Sequence, residues 1–213
     1  MQPSKPRRNV AKRPLIVGIG GTLRDRSSSE QAMRLALSAA ATEAEIRVFA
    51  GSELMLPLYQ PGAALDDRAT ALVSALAACD GLVIASPAYH GSISGLVKNA
   101  LDYAEELSRY PRPYLDGIPI GLIACAAGWQ AAGQTLAALR AIAHALRGWP
   151  TPYGAAIRTS QDLFVDGRCR DEGVTAELKR VGDQVLAFAR TRQQLAVPQS
   201  TPSNHPSLAG AMS

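Results

Sequence analysis

The sequence predicts one doubly wound α/β domain, and two observations carry that prediction. Apolar runs without alternation, such as Leu15-Ile16-Val17-Gly18-Ile19 and Gly81-Leu82-Val83-Ile84-Ala85, read as strands covered on both faces. Helical periodicity separates them, giving strand then helix five times with connections long enough for right-handed crossovers. A chain of 213 residues suits a single domain of this kind. Apolar residues make up 47% of it and aromatics 5%, so the core must be built from Ala, Leu, Ile and Val.

The first strand, residues 15–19, leads through a glycine- and serine-rich loop (20–29) into a helix over 28–41. Met33, Leu35, Ala36, Leu37 and Ala40 form its apolar face, and Glu30 in the first turn favours the dipole. Residues 45–49 alternate with period two, as a strand nearer the sheet edge does. After a loop over 51–62, Asp66 or Asp67 caps a helix to about residue 78. The third strand spans 81–86 and its helix 92–107, which Pro111 and Pro113 prevent from continuing. A fourth strand over 118–124 enters a loop over 125–133, followed by a helix over 134–146 and a fifth strand over 153–157. A loop over 161–170 and a last helix over 174–190 complete the domain, 14–190.

Both ends differ from this core. Residues 1–13 carry five basic residues and no acid, while 191–213 hold one charged residue, Arg192. Both are expected to be disordered, one as a basic arm and one as a Pro- and Ser-rich tail. Without them the net charge of +4 becomes −2 over 14–190, so the domain itself gives no reason to expect nucleic acid as a partner. Cys79, Cys125 and Cys169 are odd in number and widely spaced, which suits a reducing compartment and gives no metal spacing. No apolar h-region follows the basic arm, no stretch approaches the length of a membrane span, and a cytoplasmic location is expected.

Three loops at strand ends fall on one side of the sheet, where open α/β sheets bind ligands. Gly18-Ile19-Gly20-Gly21-Thr22-Leu23-Arg24 lacks the third glycine of a dinucleotide fingerprint and the Gly-Lys-Ser/Thr of a P-loop. It does offer hydroxyls and free amides at a helix N-terminus, a setting for one phosphomonoester with Arg24, and less surely Arg26, neutralising it. A serine-rich helix cap with solvent arginines is the plainer alternative. Pro87-Ala88-Tyr89-His90-Gly91 offers backbone and an aromatic ring to a planar group, or is a polar turn. Gly128 and Gly133 bracket Trp129 and small residues in the third loop, leaving room for something flat. His90 is the one histidine placed for chemistry; His144 is mid-helix and His205 lies in the tail. The shortage of acids, bases and nucleophiles suits a pocket whose chemistry belongs to a cofactor such as FMN.

The chain resembles the NAD(P)H-dependent FMN reductases of the flavodoxin-like superfamily. Gly21-Thr22-Leu23-Arg24-Asp25-Arg26-Ser27-Ser28-Ser29 is similar to that family's Gly-Ser-x-Arg-x-x-Ser-x-Asn, with Ser29 in place of Asn. Pro87, Tyr89, Ser92, Gly95, Lys98, Asn99 and Asp102 match its second signature. The resemblance implies a flavodoxin-like three-layer sandwich whose five-stranded parallel sheet has the order 2-1-3-4-5. It also implies an FMN phosphate on Thr22, Arg24, Ser27 and Ser29, and an isoalloxazine ring lined by Pro87, Ala88, Tyr89, His90 and Gly128. No catalytic side chain and no metal follow from it, with His90 left open between flavin and nicotinamide. The implied activity is hydride transfer from NADPH or NADH to flavin, and on to free FMN, a quinone or another small acceptor. A flavodoxin-like electron carrier is the alternative. A flavin-dependent monooxygenase partner and a homodimer or homotetramer are implied too, with Leu96, Leu101, Tyr103 and Leu107 as surplus apolar positions for an interface.

Overall fold

Parallel strands β1 (Leu15–Gly20), β2 (Glu45–Phe49), β3 (Gly81–Tyr89) and β5 (Pro119–Ala126) form the centre of the computed structural model, which describes residues 12–196. Their order is β2-β1-β3-β5, and the far edge is shared by β6 (Trp149–Pro150) and β7 (Ala155–Arg158), both parallel to β5. The order expected of five strands is therefore met, with the fifth strand split in two. Pro150 and Pro152 account for the split, since neither can donate to the ladder.

Side-chain alternation sorts the core into two layers. Val17, Ile19, Leu82, Ile84, Ile120 and Leu122 face helices α2 (Asp67–Ala78), α3 (Gly95–Asp102) and α4 (Trp129–Ala145). Ile16, Val83, Ile123 and Cys125 face α1 (Ser28–Ala40) and α5 (Glu172–Ala196). Both faces are buried, which is why the central strands read as unbroken apolar runs. Ser27 caps α1 through its hydroxyl, which accepts from the Glu30 amide, and the Asp66 carboxylate caps α2 by accepting from the Ala69 amide at 2.8 Å. No helix among the described residues is long and apolar enough to cross a membrane.

Several expected boundaries move. β3 continues through Pro87 to Tyr89 and folds back as β4 (Ser92–Ile93), antiparallel to it. His90 and Gly91, with φ of 51° and 82°, make the two-residue turn, so α3 starts at Gly95 under a Ser94 cap and not at residue 92. Tyr103–Leu107 tightens into a 3-10 turn that buries Tyr103 and Leu107, and Leu101 is buried in α3. These three side chains belong to the core and leave only half-buried Leu96 of the expected surplus for an interface. Helix α4 begins at Trp129, five residues early, and runs through Gly133. The loop expected over 161–170 contains a small hairpin, β8 (Phe164–Val165) and β9 (Arg168–Cys169), turned by Asp166-Gly167 at φ 51° and 76°.

The domain also reaches past its expected limits of 14 and 190. Arg13 donates to the Ala41 and Ala44 carbonyls at 2.9 and 2.8 Å, capping the end of α1. Helix α5 continues to Ala196, and Arg190 on it pairs with Glu43 at 2.5 Å. The remainder of the expected basic arm and of the tail lies outside the described residues.

Candidate active site

Where β1 leaves the sheet, two glycines set the path of the chain. A side chain at Gly20 would place its Cβ 2.3 Å from the Ala85 carbonyl oxygen of β3, so only glycine lets the two strands lie this close. Gly21 follows at φ 102°, and its amide donates to that same carbonyl. The turn is closed by Thr22, whose hydroxyl accepts from the Arg24 amide at 3.1 Å. Ser27 and Ser29 are buried, with hydroxyls 3.4 Å apart. The Ser28 and Ser29 amides, in the first turn of α1, have no intrachain acceptor among the described residues.

These groups face a cavity of about 450 Å³ at the carboxyl ends of the strands. Thr22, Arg24, Ser27 and Ser29 line it from the loop after β1, and Pro87, Ala88 and Tyr89 line it from the end of the neighbouring β3. Cys125, Ala126 and Ala127 line it from the end of β5, on the far side of β3 from β1. Seven of the nine expected site residues are thus brought together. His90 is not among the lining residues: it sits at the tip of the β3–β4 turn, exposed. Gly128 caps α4 just beyond Ala127, and its φ of −121° needs no glycine. A side chain there would enter open space, and Gly128 is not among the residues that line the cavity.

The walls are held from behind. The Ser86 hydroxyl accepts from the Ser94 amide at 2.9 Å and donates to the Pro87 carbonyl, fixing both strands of the hairpin. Asn99 accepts from the Tyr59 amide and donates to the Pro57 carbonyl, both at 2.9 Å, anchoring the neighbouring loop. Lys98 pairs with Asp102 along α3 and makes no contact with the cavity.

Sequence reading missed two contributors. Thr159 lines the cavity immediately after β7 and donates its amide to the Ala126 carbonyl at 2.7 Å. Its signal was its place at the end of a strand on the ligand side of the sheet. Arg158 stacks 6.0 Å from the exposed Trp129 ring, which pairs the residue after Gly128 with the end of β7. Arg26, a second candidate phosphate ligand from sequence, turns away from the cavity into a separate cleft.

Burial pushes the Cys125 thiol from an ordinary 9.0 up to about 12, so the cavity contains no thiolate at neutral pH. Between these values the unfolded chain has lost that proton and the folded chain keeps it, and stability falls as pH rises. Tyr59, raised from 10.0 to about 12 by burial and by its hydrogen bond to Glu106, acts in the same direction. Thermal melts between pH 9 and pH 12 should show a declining midpoint, with a shallower decline in Cys125→Ala.

A family model described as NADPH-dependent FMN reductase matches residues 14–162 of the chain. The FMN-dependent NADPH-azoreductase of Staphylococcus haemolyticus (strain JCSC1435) is 32% identical over 118 residues, covering 52% of this chain and 57% of that protein. The corresponding enzyme of Staphylococcus aureus (strain USA300) is 36% identical over 83 residues, 39% of this chain and 40% of that protein. The chain thus spans little more than half the length of the first of these curated relatives and two fifths of the second. Among solved structures, FerB, a flavoenzyme NAD(P)H:(acceptor) oxidoreductase from Paracoccus denitrificans, superposes with a TM-score of 0.70 at 20% identity. It covers 84% of this chain and 98% of that one. An oxidoreductase from Corynebacterium diphtheriae gives 0.62 at 20% identity, covering 84% and 97%. At such identities these two structures speak to the fold alone.

Proposed function

Because the chain belongs to the NADPH-dependent FMN reductase family, we propose that it is an FMN-dependent NAD(P)H oxidoreductase passing electrons to a small acceptor. The observation that carries this reading is the cavity between the Thr22–Ser29 loop and the Pro87–Tyr89 wall. Its two sides differ in chemistry in the way the two ends of a flavin mononucleotide do. Hydroxyls, open amides at the positive end of α1 and the Arg24 guanidinium suit a phosphate dianion. Pro87, Ala88 and Tyr89 offer a flat face to an aromatic ring system, and Ala127 and Gly128 leave its edge unobstructed.

When bound, FMN supplies the hydride-accepting and electron-releasing chemistry. The protein contributes orientation. Arg24 and the serine cluster would hold the phosphate, Pro87, Ala88 and Tyr89 of the hairpin would offer the ring its surface, and the exposed Tyr89 would stand where a nicotinamide enters. His90, outside the cavity, is given no part as an acid.

A homodimer is part of this reading. Leu23, Met55 and Leu58 are exposed beside Leu96 and Pro57 in a groove next to the phosphate loop, an apolar surface suited to a second copy of the chain. The three cysteines are unpaired, which fits a cytoplasmic location.

The test is spectroscopic and kinetic. Purified protein passed through gel filtration with FMN should elute with a flavin spectrum at a dimer's volume. It should then oxidise NADPH or NADH with free FMN, a benzoquinone or an azo dye as acceptor. Sustained turnover separates a reductase from an electron carrier, and a protein that neither binds flavin nor oxidises either nucleotide is not this enzyme.

A further inference from the structure

We propose that the cleft on the outer side of α1 is a second binding site, for a nucleotide carrying at least two phosphate groups. It measures about 650 Å³, a size in the ligand-pocket range and larger than the cavity described above. Three elements distant in sequence build it: the exposed side of α1, the β8–β9 hairpin and the first turns of α5. This site stands on its own geometry and does not rest on the flavin reading.

Its charge is one-sided. Arg26, Arg34, Arg168 and Lys179 line it against a single acid, Glu30. Glu30 is already engaged, its carboxylate accepting from Arg34 Nε at 2.9 Å. Arg26, Arg168 and Lys179 have no ion-pair partner among the described residues. Gathering three uncompensated cations around one concavity costs self-repulsion that a bound polyanion would relieve.

The cations are also placed by specific backbone features. Arg26 is held at φ 52° with its carbonyl accepting from Gln31 Nε2 at 2.6 Å, the conformation in which its side chain lines this cleft and not the cavity. Arg168 directly follows the tight Asp166-Gly167 turn, so the hairpin fixes its position against α1. Phe164 and Leu35, both half-buried, provide the apolar surface on which a base could rest. Guanidinium groups with an ammonium recognise phosphate, and the aromatic and aliphatic walls favour a nucleotide over an inorganic anion.

Two sources share this chemistry: a free nucleotide, and the adenosine half of NADPH. Adenosine 2′,5′-bisphosphate is the probe for both. Titrated calorimetrically at low salt into the FMN-loaded full chain, it should bind, and an Arg168→Ser/Lys179→Ser variant should bind it at least about tenfold more weakly. Both substituted side chains are exposed, and an unchanged melting temperature confirms that the variant is folded. If NADPH supplies the nucleotide, the variant's KM for NADPH rises with kcat unchanged. If a free nucleotide does, KM stays put while the affinity for the probe still falls. Absence of binding to the wild type at millimolar probe, or equal binding by wild type and variant, overturns the site. A wild type that binds the probe but neither holds flavin nor turns over overturns the reductase reading and leaves this one intact.

Discussion

FMN should bind an Arg24→Ala variant about ten- to a hundredfold more weakly than wild type, the worth of a charge-assisted contact to a dianion, while riboflavin binding stays unchanged. Riboflavin has the ring system but no phosphate, so it isolates the end of the cavity that Arg24 serves. Arg24 lies on the loop after β1, a different element from the Pro87–Tyr89 wall, and the Thr22 hydroxyl fixes its backbone. Losing the side chain therefore removes charge without disturbing the ring's surface. Arg24→Lys should fall between, because an ammonium keeps the charge but not the two-pronged geometry. Quenching of flavin fluorescence, titrated for both compounds, gives the answer. Equal losses for FMN and riboflavin, or none for either, would place the phosphate elsewhere.

The second large effect is expected at a residue that does not line the flavin cavity. Gly182 in α5 lies against the backbone of α1: an added Cβ would sit 1.9 Å from the Ala36 carbonyl oxygen and 2.9 Å from its carbon. Glycine inside a helix ordinarily costs about 1 kcal/mol relative to alanine, so a neutral site would be stabilised by Gly182→Ala. Here the obstacle is main chain, which cannot rotate aside, and overpacking of this kind costs about 1–3 kcal/mol or more. The two helices must separate, and the sign reverses. Gly182→Ala should lower the melting temperature by several degrees, about 2–4 °C per kcal/mol in a chain of this size, and Gly182→Val should lower it further. Because α1 begins at the Ser27–Ser29 cluster, FMN affinity should fall together with stability.

Local signals explain what could be read before the fold was known. The central strands announced themselves because burial on two faces leaves no polar alternation, and the α1 and α2 starts because Ser27 and Asp66 are strong caps. The phosphate-type loop was legible because its ligands are contiguous. The β3–β4 hairpin was hidden because His90-Gly91 lacks the Asn-Gly or Asp-Gly signature that its turn type favours. Asp166-Gly167 carries that signature, yet each flanking strand has two residues, too few to show a period. Gly133 suggested a loop, but it faces open space on a helix whose other side is packed, and propagation carries α4 through it. Tyr103 and Leu107 looked surplus to one buried stripe until the switch to a tighter 3-10 turn directed them inward, and Leu101 belongs to the buried face of α3 itself. Thr159 could have been found from its place just after a strand, whereas the lining of the cavity and of the basic cleft comes together only once distant elements meet. No local pattern encodes that meeting.

The divided fifth strand bears on how copies of this protein can associate. At that margin of the sheet β6 pairs for two residues, the chain then leaves the ladder, and β7 resumes nearer the cavity. A foreign strand arriving there finds an interrupted row of donors and acceptors with prolines at 150 and 152. The opposite margin, β2, is five residues long and places Glu45 and Arg47 outward. The divided border offers no continuous template for main-chain zippering, and the β2 border carries charged side chains of the kind that discourage it. An assembly built instead through side chains on helices and loops can be dismantled by single surface substitutions and is guarded against fibrous growth.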